Sequence, residues 1–96
     1  MFQKPLLKPD NFIIKKENVV IRHIDNRAIL LNPEYHHPFS LNEMGTKIWG
    51  LLDLHHRIAD LIDATSELYY VDKEEAARDM IEFLSELLER KLIKKG

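Results

Sequence analysis

Phe39-Ser40-Leu41-Asn42-Glu43-Met44-Gly45-Thr46-Lys47-Ile48-Trp49 is where this 96-residue chain changes its apolar period. Up to Leu41 the spacing is the two-residue repeat of a strand. Beyond it Met44, Ile48 and Leu52 recur at helical steps, with Trp49 and Leu51 widening the face, which predicts a helix over about Glu43 to Leu52. The start of that helix carries two signals, since Asn42 is a good N-cap and Ser40 with Glu43 has capping-box spacing; one of them is the real cap.

Working back from this boundary, Phe12 to Leu41 is rich in Ile, Val and Leu and is broken by Glu17-Asn18, Asp25-Asn26 and Asn32-Pro33, all turn-forming pairs. Val19 to Ile24 and Ala28 to Leu31 flank the short connection Asp25-Asn26-Arg27 and read as a hairpin, with Asn26 suited to a left-handed turn position. Phe39-Ser40-Leu41 reads as a third strand, and Phe12 to Lys15 is a further candidate. Met1 to Asp10, with two prolines and little periodicity, is expected to be a flexible arm, ordered only where it packs on something.

Working forward, Ile58, Leu61, Ile62, Thr65, Leu68 and Tyr69 form one core-facing stripe on a second helix, about Ile58 to Tyr69. A third, about Lys73 to Lys91, opens with Asp72 as N-cap, Glu75 three residues on, and Val71 and Ala76 at the spacing of a hydrophobic staple. Strands followed by three helices, with no internal repeat or linker, predict an α+β fold: a small N-terminal antiparallel sheet, then three helices, winged-helix-like in plan. The length predicts one domain over residues 1–96.

Composition narrows the chemistry. The chain is 45% hydrophobic and 31% charged, the balance of a sequence able to build a core. It has no Cys, which removes disulfides, thiolate metal sites and Cys nucleophiles. His36-His37 and His55-His56 are adjacent pairs whose side chains diverge on a helix or a strand, so neither chelates a metal alone. No zincin spacing, Gly-rich phosphate loop or nucleophile elbow is present. The reading is therefore a non-enzyme with no cofactor, no metal and no catalytic residues. No apolar run approaches the roughly 20 residues of a membrane span, and the N-terminus lacks a signal-peptide core, so a cytoplasmic protein without a membrane partner is expected.

The third helix carries two apolar rows, Ala77, Ile81, Leu84 and Leu88 beside Ala76, Met80, Phe83 and Leu87. Together they sweep about 180° of the helix, compared with roughly 100° for a helix facing one core. One explanation is that a long helix in a small domain needs both rows for its own packing. The other is a groove, in which Ala76, Met80, Phe83 and Leu87 face a trough beside the sheet edge. Phe39, Ser40 and Leu41 would then offer main-chain groups to an extended peptide, which adds itself as a strand. Trp49 reads as core, and Asn42 and Gly45 as a cap and a close-packing point. Asp79 is either solvated or a partner for a basic peptide side chain.

From Phe39 to Ile93 the sequence resembles the PqqD family. The residues that carry the resemblance are Leu41-Asn42-Glu43-Met44-Gly45-Thr46-Lys47-Ile48-Trp49, Leu51-Leu52-Asp53, Ile58 with Asp60-Leu61, Tyr70-Val71-Asp72, then Ala77, Asp79, Phe83-Leu84, Leu87 and Leu92-Ile93. Leu54 stands where the family usually has Gly, and Arg57 where a capping Thr is common, so the connection Leu54 to Arg57 is expected to differ in shape. The resemblance implies a RiPP recognition element, a non-catalytic peptide chaperone for the leader of a ribosomally made precursor peptide. It would bind the leader antiparallel to the third strand and against the last helix, and present it to a modifying enzyme. In the founding case of pyrroloquinoline quinone synthesis that enzyme is a radical-SAM protein.

Two rival readings remain. A winged-helix plan raises DNA binding, but the third helix would present Glu74, Glu75, Asp79, Glu82, Glu86 and Glu89 against Lys73, Arg78, Arg90 and Lys91, and the chain carries a formal charge of −2. Phosphate repulsion opposes that docking, so no nucleic-acid partner is expected. In the second, the surplus row packs against another copy of the chain in a homodimer.

Overall fold

The computed structural model describes residues 7–96, with His36 described by its backbone alone. The elements are β1 (Ile13–Lys15), β2 (Val20–Ile24), β3 (Arg27–Asn32), β4 (Tyr35–Leu41), α1 (Glu43–Leu51), α2 (Ile58–Tyr69), α3 (Lys73–Glu89) and β5 (Ile93–Lys95). Strands followed by helices make the α+β fold expected from the change of period at Leu41. Winged-helix-like fits it only loosely, because β5 comes back after the helices to pair antiparallel with β1, Ile14 opposite Lys94. Phe12 to Lys15, a candidate strand in the sequence, supplies β1, whereas Leu92 and Ile93, beyond the expected end of the third helix, are given no element there; in the structure both are buried and Ile93 belongs to β5.

The main sheet is the antiparallel meander β2-β3-β4. Ile24 pairs with Arg27, which leaves Asp25-Asn26 as a two-residue turn. The left-handed residue is Asp25, at φ 57°, not Asn26. Either short polar side chain tolerates that conformation, and the turn assigns it to its first position. Ala28, Leu30 and Asn32 of β3 face the core, in register with Leu41, Phe39 and Tyr35 of β4 respectively. Asn32 is a buried polar residue with both ends satisfied. Its Oδ1 accepts the Glu34 N–H at 2.8 Å, closing the β3–β4 turn, and its Nδ2 donates to the Lys91 carbonyl at 2.6 Å. One carboxamide thus ties the hairpin to the far end of α3.

Helix boundaries follow local chemistry. At α1 the Asn42 carboxamide accepts the Gly45 N–H at 2.8 Å, so Asn42 rather than Ser40 caps the helix. Asp72 occupies the N-cap position of α3 with an extended backbone but makes no side-chain capping bond. The expected run to Lys91 ends at Glu89, because Lys91 turns left-handed at φ 59° while its N–H reaches the Leu88 carbonyl and the Leu92 N–H reaches Leu87. This is a Schellman stop built without glycine, and it aims the chain into β5. At α2, Arg57 gives no side-chain cap; it pairs with Asp10 at 3.0 Å, and its backbone bridges to Phe12. Of the arm expected over residues 1–10, residues 1–6 lie outside the described residues. Leu7 is buried, and Pro9 accepts a hydrogen bond from Ala59, so this part of the arm is anchored on α2.

The core joins both sheets to the three helices through Ile13, Leu30, Leu41, Ile48, Ile58, Leu61, Met80, Leu84, Leu87 and Ile93. Trp49 is buried among them with the Lys15 ammonium over its ring, 4.6 Å from the ring centre, and Asp53 pairs with that ammonium at 3.0 Å.

Candidate functional site

Among the described residues strand β4 pairs on one side only, with β3, so its other side is a sheet margin. Pro38 lies within it, where the β3–β4 register shifts between Leu30 and Asn32, and a residue without an N–H is tolerated in a strand at an edge or a bulge, both of which hold here. Phe39 and Leu41 share the inner face with Leu30 and Ala28, while Ser40 points outward opposite Ile29. Phe39 is half-buried, and the Arg90 guanidinium at the C-cap of α3 stacks over its ring at 4.6 Å. Just beyond the C-terminal end of the strand, a Cβ added to Gly45 would stand 3.3 Å from Phe83 Cε1 and 3.4 Å from Leu41 Cδ2. The absent side chain of Gly45 is thus what lets α3 come close to the point where β4 passes into α1. Helix α3 therefore flanks the strand near Phe39 through Arg90 and near Leu41 through Phe83.

Between α1 and α3 lies a cleft of about 150 Å³ walled by Asn42, Met44, Gly45, Ile48, Val71, Ala76, Asp79, Met80 and Phe83, with Thr65 of α2 also on its wall. The walls are mainly carbon. Asp79 at the rim is exposed and makes no ion pair among the described residues. Thr65 is 5% exposed, and its hydroxyl is out of solvent without a hydrogen-bond partner. A buried hydroxyl in that state costs about 1–3 kcal/mol. The other helical threonine, Thr46, shows the ordinary alternative by donating to the Asn42 carbonyl one turn back at 2.8 Å.

The seven residues singled out from the sequence fall into three groups. Phe39, Ser40 and Leu41 lie together on the margin. Ala76, Met80 and Phe83 lie together on the cleft, but Ala76 at 3% and Met80 at 1% exposure show it only their edges, leaving Phe83 as the partly open ring. Leu87, at 0% exposure, has no free surface and is a core residue. The idea that one apolar row of α3 is surplus is thus corrected: the row Ala76, Met80, Leu87 is the more deeply buried of the two, and Ala77, Ile81 and Leu88 of the other are half-buried. The reason is the β1–β5 layer. β5 packs on α3 as α2 does, so the helix has more domain around it than one sheet and two helices provide. Six residues that the sequence marked only as core, staple, cap or close-packing point, namely Asn42, Met44, Gly45, Ile48, Thr65 and Val71, turn out to wall the cleft. Periodicity gave no sign of this; the one local signal was a glycine in the first turn of an amphipathic helix.

The match to known families covers this region. The model of the family described as coenzyme PQQ synthesis protein D (PqqD) matches residues 27–93, from the start of β3 to the start of β5. The chain belongs to the PqqD family. Among solved structures, this PqqD-family chain is similar to TbiB1 in complex with the TbiA(beta) leader peptide, with a TM-score of 0.76 and 32% identity over 83% of this chain and 93% of TbiB1. No curated protein matches it. The matched span contains the margin, the cleft and the Asn32 tie, and leaves out β1 and β2. Among the described residues no cluster of His, Asp and Glu is arranged to hold a metal ion, and no helix is long and apolar enough to cross a membrane.

Proposed function

We propose that this chain is a non-catalytic peptide chaperone that binds the leader of a ribosomally made precursor peptide and presents it to a modifying enzyme in the cytoplasm. The observation that carries the reading is the one-sided strand β4 lying beside the apolar cleft. An unpaired strand offers alternating N–H and C=O groups, and an extended peptide satisfies them by joining the sheet. Side chains on the inner face of that added strand would then meet α3, with Phe83 as the open ring. Main-chain pairing supplies sequence-tolerant affinity, and the cleft supplies selectivity. Membership of the PqqD family and the likeness to TbiB1, whose structure holds a leader peptide, support this reading. The radical-SAM class of enzyme is the partner that the family's founding pathway suggests.

Because the leader must be ordered as it binds, the affinity expected is sub-micromolar to micromolar, about −8 to −9 kcal/mol. The test is calorimetric titration of a synthetic leader, taken from the precursor encoded beside this chain, into the wild type and into Phe83→Asp. Burying a carboxylate where a ring stood should weaken binding by roughly 30-fold or more, the scale of a hot-spot residue, while the circular dichroism spectrum stays native. Unchanged affinity in the folded variant counts against the groove.

A further inference from the structure

We infer that the β4 margin holds an added leader strand by a short main-chain ladder centred on Ser40 and closed at its two ends by Pro38 and Asn42. The leader must then offer backbone N–H groups at two alternate residues, while the side chains between them are the ones read. The inference rests on the peptide-binding reading for its ligand, but the placement of the free main-chain groups follows from the sheet alone. A two-residue turn can be closed only by a hydrogen-bonded pair, because a non-bonded pair there would need its two turn residues to bond one another. Ile24 and Arg27 close Asp25-Asn26, and Asn32 and Tyr35 close Pro33-Glu34. Both turns give the same parity. Arg27, Ile29 and Leu31 aim their main-chain groups at β2, and Ala28, Leu30 and Asn32 aim theirs at β4.

Leu41 opposite Ala28 and Phe39 opposite Leu30 are therefore bonded pairs, with N–H and C=O turned to β3. The C=O and N–H of one trans peptide point in opposite directions, so the Pro38 carbonyl, both main-chain groups of Ser40 and the Asn42 N–H point outward. Asn42 is still extended, at φ −77° and ψ −176°, and Pro38, Ser40 and Asn42 are exposed. The series stops there at both ends. Pro38 has no N–H to give, and the Asn42 carbonyl is taken by the Thr46 N–H at 2.9 Å and the Thr46 hydroxyl at 2.8 Å. In an antiparallel leader the residue opposite Ser40 both donates to it and accepts from it. The residue two places later donates to the Pro38 carbonyl, and the residue two places earlier accepts from the Asn42 N–H. These three put their side chains on the outer face with Ser40. The two residues between them face inward, one beside Leu41 towards Phe83 and one beside Phe39 towards Arg90. On main-chain grounds proline is excluded opposite Ser40 and Pro38 and admitted at the two inward positions.

Amide hydrogen exchange followed by nuclear magnetic resonance tests the margin first without a ligand. In the free chain Phe39 and Leu41 should be protected, while Ser40 and Asn42 exchange as unprotected amides do. A saturating synthetic leader, taken from the precursor encoded beside this chain, should protect Ser40 and Asn42 as well. Leaders N-methylated at one residue at a time are then titrated by calorimetry. Affinity should fall about 10-fold or more at two residues two places apart, and by less than about 3-fold at the residue between them. Protection of Ser40 in the free chain, a bound leader that leaves Ser40 and Asn42 unprotected, or a scan without that alternation overturns the inference. A leader that does not bind at all removes the peptide reading and the ladder with it, whereas a leader that binds without these signs removes the ladder alone.

Discussion

Replacing Asn32 by Ala tests the structure where fold and site meet. The side chain is 1% exposed, and its two bonds, to the Glu34 N–H at 2.8 Å and to the Lys91 carbonyl at 2.6 Å, hold the β3–β4 turn against the end of α3. Each bond contributes about 0.5–1.5 kcal/mol net, and the groups left behind are partly screened from water, so a loss of about 2–3 kcal/mol is expected. That is a large share of a total stability on the order of 5–15 kcal/mol. In urea, with a slope of roughly 1 kcal/mol per molar for a small domain, the unfolding midpoint should fall by about 2 M. Trp49, the single tryptophan and a buried one, reports the transition by fluorescence. Asn32→Asp sharpens the test. It keeps an acceptor for Glu34 but sets a carboxylate oxygen against the Lys91 carbonyl, where a donor stood. The neutral carboxyl donates in that place, so its pKa in the folded state is raised above the unfolded value. Relative to Asn32→Ala at the same pH, Asn32→Asp should therefore be less stable at pH 7 and recover as pH falls through that raised value. A midpoint shift under about 0.5 M for Asn32→Ala, or no pH-dependent recovery for Asn32→Asp, would refute the two-bond tie.

Other substitutions separate scaffold from site. Tyr70 sits left-handed at φ 55° with its ring 95% exposed, so Tyr70→Gly should relieve backbone strain without losing packing and raise stability by about 1 kcal/mol in a thermal melt; a decrease contradicts that account. Leu87→Ala, at a site with no exposure, should cost about 2–5 kcal/mol while leader affinity of the folded fraction stays within about 2-fold. A specific loss of affinity there would return Leu87 to the binding surface. Gly45→Ala gains helix propensity but puts a methyl 3.3 Å from Phe83, so stability should change by less than about 1 kcal/mol while the narrowed cleft loses leader affinity by about 10-fold, measured by calorimetry.

Much of this architecture was legible in the sequence because it is local. The change of period at Leu41, the Asn42 cap and the stripe Ile58 to Tyr69 each depend on residues a few positions apart, and each element forms where that spacing puts it. What was not legible depends on contacts distant along the chain. β1 stands within the candidate strand Phe12 to Lys15, but β5 is three residues long with no periodicity of its own and is a strand because it pairs with β1, distant along the chain. The stop at Lys91 lacks the glycine that usually announces a left-handed residue. Once β5 went unrecognised, the width of the apolar face on α3 was misassigned. The width correctly stated how much surface the helix must cover, but the pattern on a helix does not say which element covers it.

The burial of Ala76, Met80 and Leu87 changes what a binding site in this fold consists of. A peptide cannot approach those side chains except at their edges, so their substitution perturbs the core first and the cleft second, and an affinity lost that way carries no information about recognition. The open part of the cleft lies where α1 and α3 are held close without filling the gap: Gly45 provides the space, and Phe83 and Asp79 stand at its edge. The cleft thus exists because one helix lacks a side chain where the other presents a ring, and not because α3 has apolar surface to spare. On the proposed reading, selectivity would change by substitution at Gly45, Asp79 and Phe83 while Ala76, Met80 and Leu87 stay as they are, since those three answer to the β1–β5 layer and to α2.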